Sequence, residues 1–130
     1  MSDEKQPVVQ MLRDYIQAFN EMLPEKLIPF YHQPATVISS EGVFLLPTQS
    51  EMLELLQPVI DGLKESGYLR SEWESIGVKL LNAKVALASA VTIRYKKDGG
   101  VLEKFGATYV LRKRDGDWKI AMLTLHGPDA

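Results

Sequence analysis

The chain has 130 residues, 45% of them hydrophobic and 25% charged, which is enough for one domain with its own core and far from a disordered composition. A formal net charge of -2 argues against general nucleic-acid binding, which needs a clustered positive surface. The absence of cysteine excludes disulfides, thiolate nucleophiles and thiolate metal sites, and it fits a reducing compartment.

Met1 to Pro7 is polar and acidic, without the basic and apolar regions of a secretory signal. No apolar run approaches the roughly 20 residues of a membrane helix. The expectation is a cytoplasmic protein that engages neither membrane nor nucleic acid. It would be a single domain over residues 1–130, with 1–6 as a flexible tail.

From Val8 to Leu23, the apolar residues Val8, Leu12, Tyr15, Ile16, Phe19 and Leu23 recur at steps of three and four. That period predicts a helix with Arg13, Asp14, Gln17, Asn20 and Glu21 largely off the apolar stripe. Pro24 to Tyr31 predicts a short second helix limited by Pro29, which cannot donate to the carbonyl four residues back. Ala35 to Ser39 is β-branched and reads as a strand. Glu41-Gly42 turns it into a short partner, Val43 to Leu46, closed by Pro47.

Thr48 and Glu51 have capping-box spacing ahead of a helix with Met52, Leu55, Leu56, Val59, Ile60 and Leu63 on one face. Pro58 should kink that helix without ending it, and Gly67 is its natural stop. Beyond it the period changes to long strands over 68–81, 84–96, 101–114 and 118–126. Lys97-Asp98-Gly99-Gly100 and Asp115-Gly116-Asp117 are hairpin turns, Asn82-Ala83 is a weaker one, and a slip of alternation suggests a bulge at Gly77. Helices followed by an antiparallel meander give an α+β class with a curved antiparallel sheet wrapped around N-terminal helices.

This order of elements resembles the nuclear transport factor 2-like superfamily, the cystatin-like α+β cone, in its polyketide cyclase and ketosteroid isomerase-like branch. Asp14-Tyr15-Ile16-Gln17-Ala18-Phe19-Asn20 resembles the family's first-helix pattern. Phe30-Tyr31 before Ala35-Thr36-Val37 is similar to its second helix running into the first strand. Lys97-Asp98-Gly99 and Asp117-Trp118-Lys119-Ile120 resemble its last two hairpin turns. The resemblance covers about residues 8 to 128. It implies a cone-shaped sheet with a hollow between sheet and helices, and it leaves function open, because members include enzymes, ligand binders and assembly domains.

The same resemblance bears on two positions, Tyr15 and Ser39, and leaves open which strand face lines the hollow. Tyr15 stands where ketosteroid isomerases carry the tyrosine that donates to a developing enolate oxygen, work that needs a donor in a dry pocket. It also lies on the apolar stripe, where an aromatic ring packs into a core. Ser39 stands where those enzymes carry the proton-moving aspartate, and a serine hydroxyl with no neighbouring base cannot take a carbon-bound proton.

Arg94 is the strand arginine that could serve an epoxide-hydrolase arrangement, but two aspartates to flank it are missing: Asp98, Asp115 and Asp117 are in turns and Asp61 is in a helix. His126 ends the last strand, in phase with Trp118, Met122 and Thr124 if alternation is unbroken, and its imidazole suits acid–base work near neutral pH. His32 follows the short helix at a surface or capping position. The two histidines do not form a metal pair, and no cofactor or metal is implied.

Glu72 and Glu74 with Arg70 read as an exposed, charge-paired strand face. Lys96-Lys97 and Arg112-Lys113-Arg114 read as solvated hairpin tips. The expected pocket comprises Tyr15, Ser39, Trp73, Arg94, Tyr109, Trp118, Met122, Thr124 and His126, with aromatic walls suited to a planar or apolar ligand. Binding without catalysis is the leading expectation. A lyase, cyclase or isomerase using Tyr15 and His126 is the second, and a protein-interaction module the third. Leu123 and Leu125 alternate with Ile120, Met122 and Thr124, so both faces of the last strand look covered, which with the resemblance predicts a homodimer through the sheet.

Overall fold

The computed structural model describes residues 4–129. The first apolar stripe forms helix α1 (Gln6–Asn20), with Pro7 in its first turn and Val8, Leu12, Tyr15, Ala18 and Phe19 buried. The helix begins inside the expected tail, at Gln6; residues 1–3 of that tail lie outside the described residues. It also stops three residues short of Leu23, because Met22 takes a left-handed φ of 60°.

The short helix expected over Pro24–Tyr31 is instead two single 3₁₀ turns, Pro24–Lys26 and Ile28–Phe30. Two prolines in this stretch lack N–H groups, so it closes on tighter bonds, from Leu27 N–H to Pro24 O at 3.0 Å and from Phe30 N–H to Leu27 O at 3.1 Å.

Strand β1 (Tyr31–Ser39) starts four residues earlier than expected and pairs antiparallel with β2 (Gly42–Leu46). Helix α2 (Gln49–Glu65) is capped as its spacing predicts: the Glu51 carboxylate accepts from the Thr48 N–H at 2.9 Å and from the Thr48 hydroxyl. Pro58 lies inside α2 without ending it, and Gly67, at φ 80°, leads the chain out. Among the described residues no helix is long and apolar enough to cross a membrane.

Four strands follow: β3 (Tyr68–Leu80), β4 (Val85–Lys96), β5 (Val101–Arg114) and β6 (Asp117–His126). Asp115 and Gly116 between β5 and β6 have φ of 52° and 87°, both positive, as a two-residue type I′ turn requires. The sheet is curved and unclosed, in the order β2-β1-β6-β5-β4-β3. Every pairing is antiparallel except β1 with β6, where the last strand of the chain docks parallel to the first.

Both helices lie on the concave side of the sheet. There Ala86, Ala88, Ala107, Leu111 and Ile120 meet Val8, Leu12, Leu27 and Ile60 in one core. Leu12, Leu27, Ile60, Leu111 and Ile120 are fully buried, each stabilising the fold by about 1.5–3 kcal/mol.

Two of the register shifts in the sheet bear on the sequence-based expectations. One falls between Trp73 and Ser75, so Glu74 is the extra residue, and Gly77, where alternation suggested a bulge, pairs regularly with Ser89. The other is in β6: Val110 pairs with Met122 and Leu111 with Ile120, which leaves Ala121 without an opposite number. The phase of β6 therefore reverses at Ala121. Trp118 and Ile120 point to the concave side before it, and Leu123 and Leu125 do so after it.

Candidate functional site

A hollow of about 200 Å³ opens between the helices and the concave face. Helix α1 supplies Tyr15, Ile16 and Phe19, and α2 supplies Leu55, Leu56 and Val59. The sheet contributes Tyr31, Val37 and Ser39 from β1, Phe44 from β2, and Ser71 and Trp73 from β3. It adds Thr92 and Arg94 from β4, Phe105, Ala107 and Tyr109 from β5, and Leu123 and Leu125 from β6. The sheet leaves room here because its middle is floored by small residues, with Ala90 facing Ala107 across β4 and β5.

Of the pocket residues expected from sequence, the structure brings Tyr15, Ser39, Trp73, Arg94 and Tyr109 together around this hollow. It does not bring Trp118, Met122, Thr124 or His126 there. Trp118 is buried at the far end of β6, sharing a shallow cleft with Pro7, Met11 and Phe30. Met122, Thr124 and His126 fall on the convex face, because the unbroken alternation assumed for β6 is interrupted at Ala121.

On that face the His126 Nε2 lies 2.7 Å from the Thr108 hydroxyl, and its Nδ1 lies 2.8 Å from the Gly127 carbonyl. A carbonyl can only accept, so Nδ1 carries a proton. His126 and Tyr15 are thus on opposite sides of the sheet and cannot form one acid–base pair. His32 sits at the start of β1 beside Arg112, 3.5 Å away, where partial burial and then the charges of Arg112, Arg114 and Lys119 lower its pKa.

Inside the hollow the polar groups are few and specific. The Tyr15 and Tyr31 hydroxyls are 2.5 Å apart, and the Tyr15 ring meets Phe30, Tyr31 and Tyr109 edge to face at centroid distances of 5.6, 5.7 and 6.3 Å. Burial, reinforced by the Tyr31 phenol, holds the Tyr15 pKa well above its ordinary value, while Arg94 pulls it the other way. Tyr31 and Tyr109 are also raised, chiefly by burial. All three are hydrogen-bond donors at neutral pH and not bases. Ser39 accepts from the Glu41 N–H at 3.2 Å, and Glu41, exposed at the mouth, is the carboxylate that lines the hollow. Among the described residues no group of side chains could hold a metal ion.

One anchor of the site, Asn20, lies off the apolar stripe that periodicity defines. Asn20 accepts from the Ser71 N–H at 2.8 Å and donates to the Ser71 carbonyl at 3.2 Å, so its amide pairs with β3 as a strand would. The Tyr68 hydroxyl donates to Asn20 Oδ1 at 2.7 Å and lies 2.6 Å from Ser71 Oγ. This knot ties the end of α1 to the sheet beside the hollow. The remaining lining residues missed by sequence, among them Glu41, Phe44, Phe105, Leu123 and Leu125, carried no local signal beyond strand alternation.

The charged strand face is as expected: Arg70 lies 3.5 Å from Glu72, and Lys104 lies 3.0 Å from Glu74, all of them exposed.

Comparison with known proteins agrees with this architecture. No curated protein is significantly similar to the chain. Among solved structures, a domain of unknown function with a cystatin-like fold from Nostoc punctiforme superimposes with a TM-score of 0.75 at 24% identity, over 97% of this chain and 78% of that one. A putative calcium/calmodulin dependent protein kinase II association domain from Xanthomonas campestris has a TM-score of 0.75 at 18% identity, over 99% and 91%. A ketosteroid isomerase-like protein from Erwinia carotovora atroseptica has a TM-score of 0.72 at 18% identity, over 96% of each. At such identities the likeness establishes the fold alone. Residues 3–128 match the model of one family, described as NTF2-like protein (DUF6841), and the chain belongs to that family.

Proposed function

We propose that the protein binds a small apolar or aromatic molecule in the hollow and that binding, without chemistry, is its activity there. The observation that carries this reading is the lining itself: an open space of about 200 Å³ walled by Phe19, Phe44, Trp73, Phe105 and Tyr109 with a few placed polar groups. A catalytic reading has less support. The phenols are held protonated, His126 is behind the sheet, and the position that resembles an isomerase base holds Ser39.

The convex face supports a second part of the proposal, a homodimer through the sheet. Among the described residues no helix covers this face, which carries Ile38, Val43, Leu45, Val110 and Met122 with Thr108 and Thr124. Val43 and Leu45 are 63% and 72% exposed, which favours a partner over bare solvent. One structurally similar protein is described as an association domain, which is compatible with this use of the fold. The proposal places the protein in the cytoplasm, consistent with its cysteine-free sequence and readable by cell fractionation.

Native mass spectrometry of the freshly purified protein, set against its denatured mass, tests both parts. The expected result is a dimer carrying a small compound that denaturation releases. A bare protein that also shows no melting-temperature shift with a panel of planar aromatic compounds would sink the binding reading. A one-chain mass at micromolar concentration would sink the dimer.

A further inference from the structure

We infer that Arg94 is an anion subsite inside the hollow, built to receive the carboxylate of a planar aromatic monocarboxylic acid. The inference rests on the ligand-binding reading above and adds the charge and class of the ligand.

Arg94 projects from β4 into the hollow with 15% of its side chain exposed. Its guanidinium carbon lies 4.6 Å from the centre of the Phe105 ring and 5.5 Å from that of Phe19, so two aromatic rings hold it in place. Nη1 donates to Glu103 at 2.9 Å on the rim, where Glu103 is 48% exposed. The Nε of the same group is different. Nε is buried and has no hydrogen-bond partner, the one buried side-chain nitrogen or oxygen in that condition among the described residues.

A buried N–H of a charged group left unpaired is costly, and its survival calls for a use. Glu103 does not supply one, because it engages Nη1 and leaves Nε bare. The groups that match a guanidinium edge are planar oxyanions, above all a carboxylate. A neutral carbonyl would offer weaker acceptors and no countercharge.

A phosphate dianion is disfavoured, because Arg94 is the only cationic side chain among the described lining residues and the carboxylates of Glu41 and Glu103 stand nearby. One cation under those conditions supports one negative charge. The body of the ligand follows from Phe19, Trp73, Phe105 and Tyr109, whose faces suit a flat ring.

The test is calorimetric titration of the full chain with 2-naphthoate and with its uncharged isostere 2-naphthamide. A charge-assisted bond predicts that the acid binds at least about tenfold more tightly than the amide. Arg94→Met should bring the acid-to-amide ratio to about one. Glu103→Gln should raise that ratio, since it frees the guanidinium from its rim partner, and a merely structural arginine would not respond in this way. Should Arg94→Met fail to fold, the Glu103→Gln ratio decides. Equal affinities in the unaltered protein, a preference that survives Arg94→Met, or a ratio unmoved by Glu103→Gln would overturn the anion subsite and leave the hollow as a neutral-ligand site. Failure of both probes to bind would overturn the subsite for planar aromatic acids, while the binding reading itself falls only to the bare-protein result above.

Discussion

The Tyr15 and Tyr31 hydroxyls satisfy one another at 2.5 Å within the buried wall of the hollow, joining the middle of α1 to the first residue of β1. Changing either residue to Phe leaves the other hydroxyl buried without that partner. Each single variant should therefore lose about 1–3 kcal/mol of stability, while the double variant loses less than their sum. A double-mutant cycle by urea unfolding checks this, and strict additivity would remove the coupling.

Alkaline pH should unfold the protein through the same phenols. Burial raises the pKa values of Tyr15, Tyr31 and Tyr109 in the folded state, so the unfolded chain releases these protons first. Stability is then fully present below the ordinary tyrosine pKa and falls above about pH 10, by about 1.4 kcal/mol per pH unit for each such phenol. Urea midpoints measured across this range should drop less steeply for Tyr15→Phe than for the unaltered protein. Parallel slopes would contradict the assignment.

Asn20 should be hard to replace although periodicity puts it off the core stripe. Asn20→Ala strips the Ser71 N–H and carbonyl and the Tyr68 hydroxyl of a shared partner. The expected loss is about 1–3 kcal/mol, with faster amide exchange at Ser71. Asn20→Asp keeps the acceptor and should recover part of the loss.

Gly106 and Gly77, both in strands, should respond oppositely to alanine. A Cβ at Gly106 would lie 2.3 Å from His126 Cε1 and 2.6 Å from the Gly127 carbonyl, so the imidazole must leave Thr108 and the backbone must shift. Gly106→Ala should cost about 1–3 kcal/mol. A Cβ at Gly77 meets nothing within 4 Å, and Gly77→Ala should be neutral or slightly stabilising. Thermal melts of the two variants give the comparison.

Met122→Glu places a charge in the middle of the convex face. If that face joins two copies of the chain, sedimentation should show monomers with the fold retained. A variant that remains dimeric would move the interface elsewhere.

The site was legible where a signal was local. A helical stripe shows its own direction, which places Tyr15, whereas for Trp73, Arg94 and Tyr109 the sequence leaves the strand face open, with register shifts beside Trp73 and Arg94. His126, Thr124 and Met122 lie on the convex face for a single reason: Ala121 is one residue too many opposite Val110 and Leu111, and nothing in β6 itself marks it. Asn20 was missed because its partners are on β3, 51 residues away at Ser71.

Apart from the two 3₁₀ turns at Pro24–Lys26 and Ile28–Phe30, the elements and their class follow from local sequence. Periods of three to four and of two, the proline and glycine breaks, the Thr48–Glu51 cap and the Asp115-Gly116 turn are short-range properties of the chain, and they specify an α+β domain. Only the tertiary structure decided which face of β6 meets the hollow, that β1 joins β6 in parallel, and that the Nε of Arg94 is enclosed without a partner. Those features depend on register between strands far apart in the chain, where one inserted residue turns every later side chain to the opposite face.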